Sequence, residues 1–147
     1  MTSVAVTASL CRKFEGCKLT AYPDPATGGA PWTIGWGATG SGIGPGVIWT
    51  QAQADNRLEQ DVQKFVDSVR HMLTKPANDN QLGAMASLAY NIGLSRFSGS
   101  TLLRLFNEGK PEAAAKQFDV WTMAAGKRMQ GLVNRRAAER AVFEAKP

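Results

Sequence analysis

A chain of 147 residues is the size of one ordinary domain, or of two small lobes sharing a long element. Its 44% hydrophobic content supplies a core and excludes a disordered chain. The net charge of +5 suits an anionic partner such as nucleic acid, a membrane surface or a bacterial wall polymer, and it equally suits plain solubility.

Thr2 and Ser3 can cap a first helix over residues 4–14, with Val4, Leu10, Cys11 and Phe14 on its buried face. Gly16 is its expected stop. Residues 1–10 are too short for a membrane span, which takes about 20 apolar residues. They also lack the pattern of a secretion signal, so the chain is expected to stay in the cytoplasm until something releases it. Cys11 and Cys17 do not make a disulfide framework. If one helix carried both, the rise of about 9 Å would exceed the roughly 7 Å a disulfide tolerates between α-carbons, so two free thiols are expected.

Residues 19–36 read as a hairpin, closed by Trp32-Thr33-Ile34-Gly35-Trp36 after a turn rich in proline and glycine. The glycine-rich loop over 38–46 lacks the G-x-x-x-x-G-K-S/T pattern that cradles phosphate. Val47-Ile48-Trp49 can add a short third strand. Thr50-x-x-Gln53 is a capping box that opens a long helix over 51–73. Leu58, Val62, Phe65, Val66, Val69 and Leu73 recur on one face of it, and charges of mixed sign occupy the other. His71 is expected to be a solvated residue of this helix, since a lone histidine offers no zinc set.

Lys75-Pro76 ends the long helix. Asn80 is the expected cap of the next, which is apolar on most sides from Leu82 to Ile92 and therefore central, and Gly93 stops it. Ser98 or Ser100 caps a short helix through Asn107, and Pro111 leads into another over 112–121. Residues 126–131 read as a basic linker. A final helix over 132–145 has Leu132, Val133, Ala137, Val142 and Phe143 as its expected apolar set. Six helices and a small sheet make an α+β fold: a small β-hairpin lobe and a mainly helical lobe joined by a long helix. The expected division is a helix and β lobe over 1–50, the connecting helix over 51–73 and the helical lobe over 74–147, together one domain.

Two carboxylates stand nine residues apart in the hairpin region. Glu15 falls at a helix C-terminus beside Phe14, where the dipole and burial both disfavour a bare carboxylate, as a proton donor requires. Asp24 sits between two prolines, where capping the turn is the commoner use of an aspartate. Thr33 lies across the hairpin and could hold a water against Asp24. Paired carboxylates in different environments are what glycoside hydrolysis needs. Arg135-Arg136 is the densest basic stretch; adjacent arginines on a helix are usually solvated or bind an anion.

Phe14-Glu15-Gly16, the Ala21-Tyr22-x-Asp24 turn, Thr33-Ile34-Gly35-Trp36-Gly37 and Thr39-Gly40 resemble the active-site lobe of the phage-type lysozymes, glycoside hydrolase family 24. Ala89-Tyr90-Asn91-Ile92-Gly93, Phe97-x-x-Ser100-Thr101-Leu102 and Gly131-Leu132-Val133-x-Arg135-Arg136-x-x-Glu139 resemble the family's helical lobe. The resemblance implies an active-site cleft between lobes and an endolysin cutting the β-1,4 bond between N-acetylmuramic acid and N-acetylglucosamine of bacterial peptidoglycan. It implies Glu15 as general acid, Asp24 as the residue serving the water, and Thr33 beside that water. Tyr22 and Asn91 match cleft-lining positions, and Arg135, or else Arg136, matches the arginine paired with the catalytic glutamate. No metal, cofactor, nucleic acid or stable membrane anchor is implied. A monomer is expected, held in the host cytoplasm until a membrane-hole-forming partner lets it reach the wall in the periplasm. The rival reading is a peptidoglycan-binding protein on the same fold that does not cut. The chain departs from the family at Ala38, where the best-known members carry histidine, and in the longer turn over 25–31.

Overall fold

A computed structural model describes every residue, Met1–Pro147. The fold is α+β, as the sequence implies, and two compact units make it up. One comprises Cys11–Asp61; the other comprises Met1–Leu10 with Val62–Pro147. Helix α1 (Ser3–Phe14) and helix α2 (Gln51–Met72) each run from one unit into the other. No helix is long and apolar enough to cross a membrane.

The Cys11–Asp61 unit is built on strands β1 (Lys18–Tyr22) and β2 (Thr33–Gly35), paired antiparallel with Lys18 opposite Gly35 and Tyr22 opposite Thr33 and an irregularity between. The anticipated third strand is present only as a bridge of Ile48 to Thr20. The Thr50–Gln53 capping box forms as expected, with the Gln53 amide donating to Thr50 Oγ1 at 3.1 Å and the Thr50 amide to Gln53 Oε1 at 2.8 Å. Trp36 Nε1 and Gln51 Nε2 both donate to Asp55 Oδ1, at 2.8 and 2.9 Å, which ties the end of the hairpin to the first turns of α2. These two bonds hold the Asp55 carboxyl below its usual range. Gly35 has φ 64 and lies against the Trp49 ring, 3.2 Å from where a Cβ would stand, so conformation and space both require glycine there.

In the other unit, α3 (Asp79–Ile92) is the central element, buried without a break from Leu82 to Ala89. Val6 of α1 lies where a side chain on Gly83 would go, so the two backbones approach closely. Ser3 Oγ donates to Asp79 Oδ1 at 2.6 Å and Thr7 Oγ1 to the Gly83 carbonyl at 3.1 Å, which seats the start of α1 on α3. Around this centre come α4 (Leu94–Ser98), α5 (Thr101–Asn107), α6 (Pro111–Lys116), a 3-10 turn (Gln117–Val120), strands β3 (Met123–Ala124) and β4 (Lys127–Arg128), and α7 (Gln130–Glu144). Phe143 of α7 packs its ring edge-on to Phe118 and Phe106, with centroids 5.4 and 6.0 Å away.

Several expectations need correction. Asn78, not Asn80, caps α3, because Gln81 three residues on completes a capping box with it. Gly16 has no left-handed conformation, and α1 stops at Phe14 without one. On α1 the buried apolar side chains are Val6, Ala8, Leu10 and Cys11, while Val4 and Phe14 are half-buried. Ser100 rather than Ser98 caps α5, its Oγ accepting the Leu103 amide at 3.2 Å, and α4 adds a seventh helix. The stretch expected as one helix over 112–121 tightens into the 3-10 turn, and the supposed basic linker forms the β3–β4 hairpin. His71 is exposed on α2, as expected.

Cys17 lies beyond the end of α1, so the single-helix argument against a disulfide does not apply to it; nevertheless neither cysteine is in a disulfide, Cys11 being buried and Cys17 receiving a Gln51 amide hydrogen at 3.6 Å. Thiol titration of the denatured, unreduced protein is expected to count two thiols per chain. A count below two in monomeric protein, with activity falling on reduction, would mark a redox-controlled enzyme instead.

Candidate active site

Glu15, Tyr22, Asp24 and Thr33 all fall in the Cys11–Asp61 unit. Glu15 is the first residue past α1; its amide still donates to the Cys11 carbonyl at 2.7 Å, so the last turn of the helix fixes its backbone. Its side chain is half-buried. Asp24 is held by a tight loop: its amide donates to the Gly29 carbonyl at 2.9 Å, and its own carbonyl accepts from Thr27 at 3.2 Å and Gly28 at 2.8 Å. Asp24 Oδ1 accepts the Ala26 amide at 3.1 Å. The turn-capping use of this aspartate is therefore real, and it occupies one carboxylate oxygen while fixing the other's direction. Thr33 opens β2 directly opposite Tyr22, so the two side chains share one face of the hairpin two residues before Asp24. Tyr22 is 37% exposed.

Asn91 and Arg135 belong to the other unit. Here the sequence reading fails most clearly. Arg135 and Arg136 are not solvated: they are 4% and 0% exposed, and Glu139 between them is 0% exposed. Of the expected apolar set of α7, Ala137 is exposed, Leu132, Val133 and Val142 are half-buried, and Phe143 alone is buried. Helix α7 turns its charges inward onto α3. Glu139 Oε2 accepts from Ser87 Oγ at 2.5 Å and from Arg135 Nε at 3.3 Å. Arg136 Nε stands 3.0 Å from Glu139 Oε1. That last contact is an ion pair without hydrogen-bond alignment, since both atoms lack a well-directed partner. Arg136 reaches Asn91 Oδ1 with its Nη2 at 2.5 Å. So the structure brings Asn91 together with Arg136, and Arg135 with Glu139 and the Ser87 carbonyl.

Burial raises the Glu139 carboxyl pKa, opposed by the charge of Arg136, the Ser87 hydroxyl and Arg135; burial lowers Arg136, opposed by Glu139. Glu139 and Ser87 are the partners of Arg135 to which the sequence assigns no role. Arg135 and Arg136 stand four and three residues before Glu139, the spacing of side-chain neighbours on a helix, and that was the available signal.

A hairpin unit presenting two carboxylates and a threonine, and a helical unit with an arginine pair anchored on a buried glutamate, define a lysozyme-like class of protein. The chain belongs to the phage lysozyme family, whose profile matches residues 12–139. It is 44% identical over 135 residues, 92% of its length, to the endolysin of Bacillus phage PZA. It spans about half the length of that endolysin and of the one from Bacillus phage B103, 52% and 51%. Among solved structures, the muramidase domain of SpmX from Asticaccaulis excentricus matches with a TM-score of 0.86 at 33% identity, over 95% of each chain. A P22 lysozyme mutant matches with a TM-score of 0.82 at 35% identity, over 99% of each chain.

Proposed function

We propose that the chain is an endolysin domain hydrolysing the β-1,4 bond between N-acetylmuramic acid and N-acetylglucosamine of bacterial peptidoglycan. Family membership supports the reaction class, and relatives of this chain are named endolysins and a muramidase. The observation that carries the reading is Asp24, a carboxylate fixed by its own turn at the end of the hairpin that also holds Thr33. In the proposed mechanism Glu15 protonates the glycosidic oxygen as the bond to C1 breaks. Asp24 takes a proton from a water held against Thr33, and that water attacks C1 from the opposite face. Tyr22, Asn91 and Arg135, or else Arg136, are the substrate-binding or supporting residues. Glu139 and Ser87 act through Arg135 and are positioning residues.

The same reading makes the chain a monomer, one lysozyme domain from end to end, kept in the host cytoplasm until a membrane-hole-forming partner admits it to the wall. Clearing of outer-membrane-permeabilised cells tests it: a drop in turbidity marks cutting, while binding without clearing marks the non-catalytic alternative. A water between acid and base implies inversion, for which carboxyl separations of roughly 6.5–9.5 Å leave room, against about 5–5.5 Å in retaining enzymes. Early-time NMR of the product is therefore expected to show the inverted anomer. Retention, or a trapped glycosyl-Asp24 adduct, contradicts the mechanism.

A further inference from the structure

Residues 123–131 are exposed without a break. Three of the large hydrophobic side chains most open to solvent fall within ten positions here: Val120 at 60%, Met123 at 55% and Met129 at 46%. Strands β3 and β4 pair Met123 with Arg128 and Ala124 with Lys127. The two residues between them, Ala125 and Gly126, have φ 52 and 77, the handed turn that matches the twist of paired strands. The Met129 amide donates to the Thr122 carbonyl at 2.9 Å and carries the ladder one step further. Side chains alternate along a strand, so Met123 shares one face with Arg128, and Met129 shares the other with Lys127. Each face sets a methionine beside a cation. The tip, Ala124-Ala125-Gly126, carries no polar side chain at all.

The charge around the hairpin has one sign. Residues 120–134 contain Lys127 and Arg128 and no aspartate or glutamate, while Arg135 and Arg136 beyond them are buried against Glu139 and add nothing to this surface. Asp119, just before, is engaged by Arg140 at 2.7 Å. We propose that this hairpin docks the protein on an anionic phospholipid bilayer, its uncharged tip and methionines entering the headgroup boundary while Lys127 and Arg128 stay among the lipid phosphates. Unbranched apolar side chains backed by cations with flexible stems are what an interfacial element needs. A protein partner is less suited, because a stable interface takes about 800 Å² per side and a hairpin of two-residue strands does not supply it. The proposal stands apart from the cutting chemistry, since none of these four side chains takes part in it.

The test is co-sedimentation of the whole chain with vesicles at physiological salt. Vesicles of phosphatidylglycerol and phosphatidylethanolamine are expected to bind it at least about tenfold better than pure phosphatidylcholine. Lys127→Gln with Arg128→Gln, and separately Met123→Ser with Met129→Ser, are each expected to weaken that binding about tenfold or more. Both variants should melt with the wild type and cut soluble peptidoglycan fragments at its rate, because all four positions face solvent. Three results overturn the proposal: no binding of the wild type to anionic vesicles; full binding by the methionine variant, which reduces the effect to general attraction of a basic chain; or a loss of affinity for purified wall sacculi in place of vesicles, which assigns the hairpin to the substrate.

Discussion

Replacing Glu15 by Gln is expected to lower the clearing rate by at least about 100-fold, the lower end for loss of a general acid. The substitution keeps the shape of the side chain and its place after the last turn of α1, and it removes the proton that must reach the leaving oxygen. The measurement pairs clearing of permeabilised cells with binding to purified sacculi. Loss of clearing with binding retained assigns Glu15 to the chemical step. Clearing at the wild-type rate removes Glu15 from the mechanism. Asp24→Asn is a weaker probe, because Asp24 Oδ1 also holds the Ala26 amide and the turn could move with it.

The placement of the candidate residues on the hairpin side is legible in the sequence because its signals are local. Glu15 sits at a helix end that a short amphipathic pattern marks, and Asp24 and Thr33 sit on a hairpin whose turn is spelled in proline and glycine. The Thr50–Gln53 box was likewise a contact between near neighbours, and it formed. Helix α7 was misread because periodicity assumes that charged residues face water. The buried stripe of α7 is Arg135, Arg136, Glu139 and Phe143, and what makes it tenable is pairing with Ser87 and Asn91, some fifty positions away on α3. No pattern within α7 announces those partners. The β3–β4 hairpin escaped for a different reason: its strands are two residues long, and its turn uses Ala125 where Asn or Gly would have flagged it.

Removing Glu139 is expected to be the most damaging change to stability. Glu139→Ala takes the carboxylate from between two buried guanidiniums and leaves Arg136, 0% exposed, without its counter-charge. Breaking a buried pair from one side costs about 3–5 kcal/mol. For a chain of this size that corresponds to a fall in melting temperature of roughly 10 °C. The intact pair is not itself a large stabiliser, because desolvation of both charges opposes their attraction; burial raising Glu139 and lowering Arg136 is the same statement in protons. The double change Arg136→Met with Glu139→Leu is therefore expected to recover most of the loss. The pH dependence follows with a definite sign. A carboxyl whose folded pKa lies above its unfolded value binds its proton more tightly in the folded state, so its contribution to stability falls as pH rises from the ordinary carboxylate range through the raised value. Measured against Glu139→Gln, which cannot titrate, the wild type should lose relative stability across that window. Calorimetry across pH on the four proteins decides the matter. A Glu139→Ala protein that melts with the wild type, or a double variant no better than the single one, would show that Arg136 is not the charge Glu139 keeps in place.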